Sequence, residues 1–354
     1  MKIRNPKYEI RISILLFFST LVFFSCKEKE PDPVPDISTN PGFFVVNEGN
    51  YTWGNSTLSF YDNVTGEIQN QIFYRANNVP LGDVAYAMYV YQGKGFITIN
   101  NSGKIYVIDP YSFKHSRTIQ GLVSPRQIFF LNEQTALVSD LYDSRITVIN
   151  PQTVSVSSTI ETGNSTEGFA SSGNNILVTC WSFQNRVLVL DKTSLNITDT
   201  LITGVQPRWI KCDKNGTAWV LCDGGYAGNP AGFENPSFYT ISQSLQIEKK
   251  IEFPSTQYAT YGFDINTAGD SIYFIRNGVN VISINDSVFP SNTLIQANGR
   301  NFYGIRCHPD GNKLIVTDAA NFSSDGKVFI YTTSGHMLNS YTSGINPSWV
   351  CFRE

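Results

Sequence analysis

Apolar and polar positions alternate along this chain in short runs, and one order of runs returns every roughly 40–50 residues. Each copy opens on an apolar strand, passes a polar Gly-containing turn, and continues into a second apolar strand. A loop follows, then a third strand, then a fourth. The third strands set the register best, because most close on Asp or Asn: Phe60-Tyr61-Asp62, Ile108-Asp109, Ile149-Asn150, Leu190-Asp191 and Ile284-Asn285. Residues 239–242 and 329–332 hold the same place in the two remaining copies. Four short strands per repeat, separated by turn residues, predict the blade of a β-propeller. No helical period of useful length follows residue 26, so no helix is expected there.

The strands that open each copy should lie innermost. They are predicted at 84–91, 126–131, 167–171, 208–212, 261–265, 302–307 and 349–353. The first copy lacks such a strand, starting directly at 43–47 with a strand of the second type. The last opening strand, at the C-terminus, has nothing after it. The two chain ends therefore complete one blade together, which removes the open edges of a linear array. The expected fold is all-β: a seven-bladed propeller of four antiparallel strands per blade, spanning residues 42–354.

The first 41 residues read as an address. Lys2, Arg4, Lys7 and Arg11 precede an apolar run over 12–24, too short to span a bilayer comfortably, and Ser25-Cys26 follows. Phe23-Phe24-Ser25-Cys26 resembles a bacterial lipobox, which implies that residues 1–25 are a lipoprotein signal peptide and Cys26 the lipid-bearing residue. Residues 26–41 form a charged, Pro-rich tether. The charged cluster Lys27-Glu28-Lys29-Glu30 behind Cys26 resembles the surface-export signal of some Gram-negative gut bacteria, which implies the outer membrane, on the cell surface. The full chain carries a net charge of −3, and loss of the basic signal segment makes the mature protein more acidic. Attraction to a phosphate backbone is then absent, and nucleic acid is not an expected partner.

Candidate chemistry is sparse. Of six cysteines, Cys180 and Cys222 occupy matching places on different blades, as do Cys212 and Cys307, beyond disulfide reach. They read as small buried apolar residues, and no zinc-ligand spacing occurs. His308 stands beside a Pro-Asp-Gly turn; His115 and His336 fall near fourth strands. No nucleophile–base set emerges, so the chain is read as a non-enzyme with no cofactor and no metal. Asp or Asn recurs where second strands end (Asn47, Asn100, Asp140, Asp223, Asp318). That pattern fits a turn that caps its own loop backbone better than a cation site.

The loops after second strands and before opening strands share one face, and they are rich in aromatic, amide and glycine residues. The first carries Asn47, Glu48, Asn50, Tyr51 and Trp53. The third and fourth carry Tyr142 with Asp143, and Trp181 with Phe183. The long fifth loop carries Tyr226 and Phe233. Tyr258, Tyr261, Phe302 and Tyr303 come from loops leading into opening strands, and Asn321 with Phe322 from the seventh loop. Rings flanked by polar residues supply rigid contact area, and amides both donate and accept. These residues form the candidate ligand-binding face.

The repeat Pro-x-x-Ile…Gly…Ile-Leu-Val-Thr…Arg-Val-Leu-Val-Leu-Asp-x-x-Thr resembles the YVTN-type propeller family over nearly the whole mature chain. The opening Phe43-Phe44-Val45-Val46-Asn47-Glu48-Gly49-Asn50-Tyr51, with the lipidation signal, looks like the surface lipoprotein propellers that capture vitamin B12 and related corrinoids. The resemblance implies a small-molecule ligand, a corrinoid first, passed to a TonB-dependent outer-membrane transporter. A protein-interaction scaffold and a lactonase or hydrolase are the alternatives, since fold alone does not fix function.

Overall fold

The computed structural model describes residues 33–35, 37–257 and 259–353. Seven four-stranded antiparallel sheets succeed one another around a central channel. Pro347–Arg353 pairs with Gly42–Asn47, which continues through Thr57–Asp62 to Ile68–Gln69, so the chain ends share blade 1. Blades 2 to 7 each run outward in sequence order. Their innermost strands are Ala85–Tyr91, Pro125–Asn132, Phe169–Ser172, Pro207–Cys212, Phe263–Ile265 and Phe302–Cys307. Each innermost strand lies against the next, and Pro347–Arg353 closes the ring between blades 7 and 2.

The hydrophobic pattern follows from this stacking. A second strand such as Gly42–Asn47 or Ala218–Cys222 is covered on both faces by neighbouring blades, and every residue in it is buried. The fourth strands form the outer rim. Ser155–Glu161 is almost wholly exposed, and its Ser and Thr content leaves little for another sheet to grip. The core divides into seven apolar clusters, one for each contact between adjacent blades. At the closure, Phe43, Val45 and Val350 of blade 1 meet Ile315, Val328 and Ile330 of blade 7.

The Asp or Asn that ends third strands has a local cause. Asp62 Oδ1 accepts the N–H groups of Val64 and Thr65, Asp109 those of Tyr111 and Ser112, and Asp191 those of Thr193 and Ser194. Each side chain closes the turn into the fourth strand.

One element departs from expectation. Ile72–Asn77, read from the sequence as loop, is a six-residue α-helix between blades 1 and 2. Ile72, Phe73 and Ala76 share one helical face and sink into the cluster between those blades. So short a helix shows less than two turns of periodicity, too little to register as a pattern.

Candidate functional site

The channel mouth is built from matching positions at or just before the start of consecutive innermost strands. Tyr86, Arg126, Glu167 and Arg208 come from blades 2, 3, 4 and 5. The backbone behind them is fixed by one buried hydroxyl per blade. Thr98 Oγ1 donates to the Arg126 carbonyl at 2.8 Å, Ser139 Oγ to that of Glu167 at 2.6 Å, and Thr179 Oγ1 to that of Arg208 at 3.1 Å. Each bond crosses from a second strand to the entry of the next blade's innermost strand, so blade stacking sets where these side chains point.

The four side chains form one cluster. Arg126 grips Glu167 with two parallel bonds, Nε to Oε2 at 2.7 Å and Nη2 to Oε1 at 2.8 Å. Tyr86 Oη donates to the same carboxylate, and Arg208 Nε approaches it at 3.6 Å. The Arg126 guanidinium lies 3.4 Å from the Tyr86 ring centroid. That of Arg208 sits between Trp181 and Trp209, at 4.3 and 4.4 Å. Burial alone would raise the Glu167 pKa, but the Arg126 charge and its hydrogen bonds hold it below the ordinary carboxylate range. Burial pushes the Tyr86 phenol up to about 12. Glu48, across the channel, accepts a bond from Tyr303 Oη at 3.2 Å. Burial dominates there, and its pKa is raised despite Ser348, Arg126 and Arg208.

Outward from this cluster a cavity of about 600 Å³ opens on the loop face. Tyr142, Trp181, Phe183, Tyr226, Phe233 and Tyr261 line it, with Gln206, Arg208, Asp223 and Gln257 among the polar residues. Arg208 and Tyr261 also line the narrower space beneath, beside Glu48 and Tyr303. Trp181 is held by a 2.7 Å bond from Nε1 to Asp223, whose other oxygen accepts the Gly225 N–H. Asp223 is therefore a loop cap, as are Asp140 and Asp318. Burial raises the Asp223 pKa.

The long fifth loop folds back on itself, and two glycines permit it. Gly224 and Gly225 both hold positive φ, and a Cβ on Gly224 would lie 2.2 Å from the Glu234 carbonyl oxygen. The Gly225–Phe233 bridge then places Phe233 near Tyr226. Buried Asn229 pins the loop through Gln206 at 2.8 Å. Phe183 and Phe322 also adopt left-handed backbone, with φ of 58° and 63°, an unusual conformation for a ring-bearing residue.

Six sequence-selected residues thus meet around one cavity, and the others lie elsewhere. Glu48 and Tyr303 belong to the channel mouth. Asn50 donates to the Phe322 carbonyl at 2.7 Å, tying the loops of blades 1 and 7, and the Phe322 ring meets Tyr303 edge-on. Asn321 caps its own turn at Ser323 and Ser324, and Asp143 pairs with Arg145 at 2.7 Å. Tyr51 and Trp53 are 64% and 76% exposed and line neither space. Asn47 is buried among Thr57, Ser59 and Ser343, and Phe302 is buried against Phe329; both are held inside the protein. Tyr258, Cys26, the signal segment 1–25 and half of the tether lie outside the described residues. The five described cysteines are free thiols.

Arg126, Glu167 and Arg208 were missing from the sequence-selected set. Their signal was present: a charged residue near the start of three consecutive opening strands, where three of the other copies carry Tyr86, Tyr261 and Tyr303 and the C-terminal one carries Ser348.

A family model described as a domain of unknown function, DUF5074, matches residues 41–340. No curated protein sequence matches the chain. Among solved structures, it resembles a quinonprotein alcohol dehydrogenase-like protein from Bacteroides thetaiotaomicron, with a TM-score of 0.69 and 17% identity over 89% of this chain and 79% of that one. It also resembles a Kuenenia stuttgartiensis hydrazine synthase chain, with a TM-score of 0.61 and 15% identity over 75% of this chain and 89% of that one. At these identities the likeness is one of fold.

Proposed function

The chain belongs to the DUF5074 family, and we propose that it is a non-catalytic propeller that captures a small molecule on its loop face. One observation carries this reading: six aromatic residues from blades 3 to 6 converge on a single cavity of about 600 Å³. Tyr142, Phe183, Tyr226 and Phe233 are each about half exposed or more. Rings held open to water in a concave space gain free energy when a ligand covers them. Gln206, Gln257 and Thr256 supply amide and hydroxyl groups for a polar fringe.

A corrinoid is the proposed occupant: a broad apolar macrocycle ringed by amide arms. A cavity of this volume takes in one flank of such a molecule and leaves the other outward, as transfer to a second protein requires. Lipid on Cys26 would hold the propeller at the outer-membrane surface, and a TonB-dependent transporter would receive the ligand. The exposed Tyr51 and Trp53, standing apart from the cavity, suit contact with that transporter. Calorimetric titration of cyanocobalamin into the purified protein tests the capture step. Saturable binding at submicromolar concentration is expected; absence of heat at micromolar concentrations would remove the corrinoid.

A further inference from the structure

Deeper in the channel lies a chamber of about 60 Å³, separate from the loop-face cavity. Its charged lining residues are Lys211 and Arg306, both cationic, and among the described residues no carboxylate lines it. Asp264 sits behind them and is fully engaged. Its Oδ1 pairs with Lys211, approaches Arg306 at 3.8 Å and accepts the Ile265 N–H at 3.0 Å. Its Oδ2 accepts the Cys307 N–H at 2.8 Å. Two cations therefore face one carboxylate, and the surplus charge points into the chamber.

Water relieves that surplus only in part: the Lys211 and Arg306 side chains are 34% and 22% exposed. The Arg306 guanidinium is packed 4.6 Å from the Trp349 ring centroid, and its Nε donates to the Val350 carbonyl at 3.2 Å. Asp264 stays ionised, because Lys211 and Arg306 outweigh the effect of its burial. Lys211 bears the strain of the arrangement: burial first, and then the Arg306 charge, pull its pKa down. Two like charges held side by side and partly withdrawn from water repel each other, and a counterion between them relieves that repulsion. The chamber has room for about two waters, or for one small ion.

We propose that this chamber binds a small monovalent anion, of halide or formate size, between the Lys211 ammonium and the Arg306 guanidinium. Gln127, Trp209 and Trp349 complete the walls, so the two indoles report occupancy.

Iodide quenching of tryptophan fluorescence at constant ionic strength tests the site. The wild-type protein should show a saturable quenching phase above the linear collisional response, and chloride should compete it away while sulfate does not. Competition by chloride alone supports a halide site; competition by formate as well supports one that also admits a carboxylate. In Lys211→Met, and separately in Arg306→Gln, one cation remains opposite Asp264. The saturable phase should then vanish or move roughly tenfold higher in iodide. Purely linear quenching in the wild-type protein overturns the proposal. So does a saturable phase that neither substitution changes. If a variant fails to fold, the wild-type competition alone decides.

Discussion

The loop face has two unlike halves. Across blades 3 to 6 the aromatic residues surround a cavity, and beneath them lies a buried ionic cluster. Across blades 7 and 1, Tyr51 and Trp53 stand outward, and short polar ties hold the loops: Asn50 to Phe322, and Asn346 to the Gly49 carbonyl at 2.8 Å. Both halves carry the same residue types. The difference lies in support. Phe233 and Tyr226 are placed by a folded-back loop pinned through Asn229, and Trp181 is clamped between Arg208 and Asp223. Tyr51 and Trp53 have no such backing. A rigid concave set suits capture of a compact ligand, and an outward set suits docking of a larger partner.

The comparison breaks most severely if its foundation is removed. Arg126→Met leaves Glu167 buried with the Tyr86 hydroxyl and the more distant Arg208 as its remaining partners, and should cost about 3–5 kcal/mol of unfolding free energy near neutral pH. Urea denaturation measures it. The Glu167 folded-state pKa is depressed, so its contribution is complete above the unfolded carboxylate value and lost as pH falls through the folded one. The gap between wild type and variant should accordingly close in acid.

Within the cavity half, Phe233→Ala should weaken ligand binding by roughly tenfold or more and leave stability nearly unchanged. Phe233 is about half exposed, and little of the core depends on it. Glu48→Gln should stabilise the protein at neutral pH. The folded-state pKa of Glu48 is raised, so the folded state holds its proton more tightly and loses stability as pH rises from the unfolded value through the folded one. Glutamine imitates the protonated form, and its advantage should disappear in acid. In the outward half, Trp53→Ala should change stability by less than about 0.5 kcal/mol. Its measurable effect should be reduced co-purification with an outer-membrane transporter.

The propeller was legible because its signals are local. Asp62, Asp109, Asn150 and Asp191 cap the same turn, and each marks the end of a third strand with no help from the rest of the chain. The closure was legible because 43–47 lacks an opening partner and the C-terminal strand lacks a following one. The cavity was legible only as a collection of loops. Which loops converge depends on blade geometry, and the sequence treats Trp53 and Tyr226 alike. The ionic cluster was harder still. Arg126 and Glu167 are brought together only when blades 3 and 4 stack, and a charged residue in an apolar strand reads as an exposed position until its partner is placed. The helix Ile72–Asn77 was too short to announce itself.

The most direct measurement is calorimetric titration of cyanocobalamin into two variants side by side, Tyr226→Ala and Trp53→Ala. Capture by the cavity half predicts that Tyr226→Ala weakens binding by roughly tenfold and that Trp53→Ala matches the wild-type protein. Equal loss in both, or loss in Trp53→Ala alone, would contradict that assignment and move the ligand to the outward half.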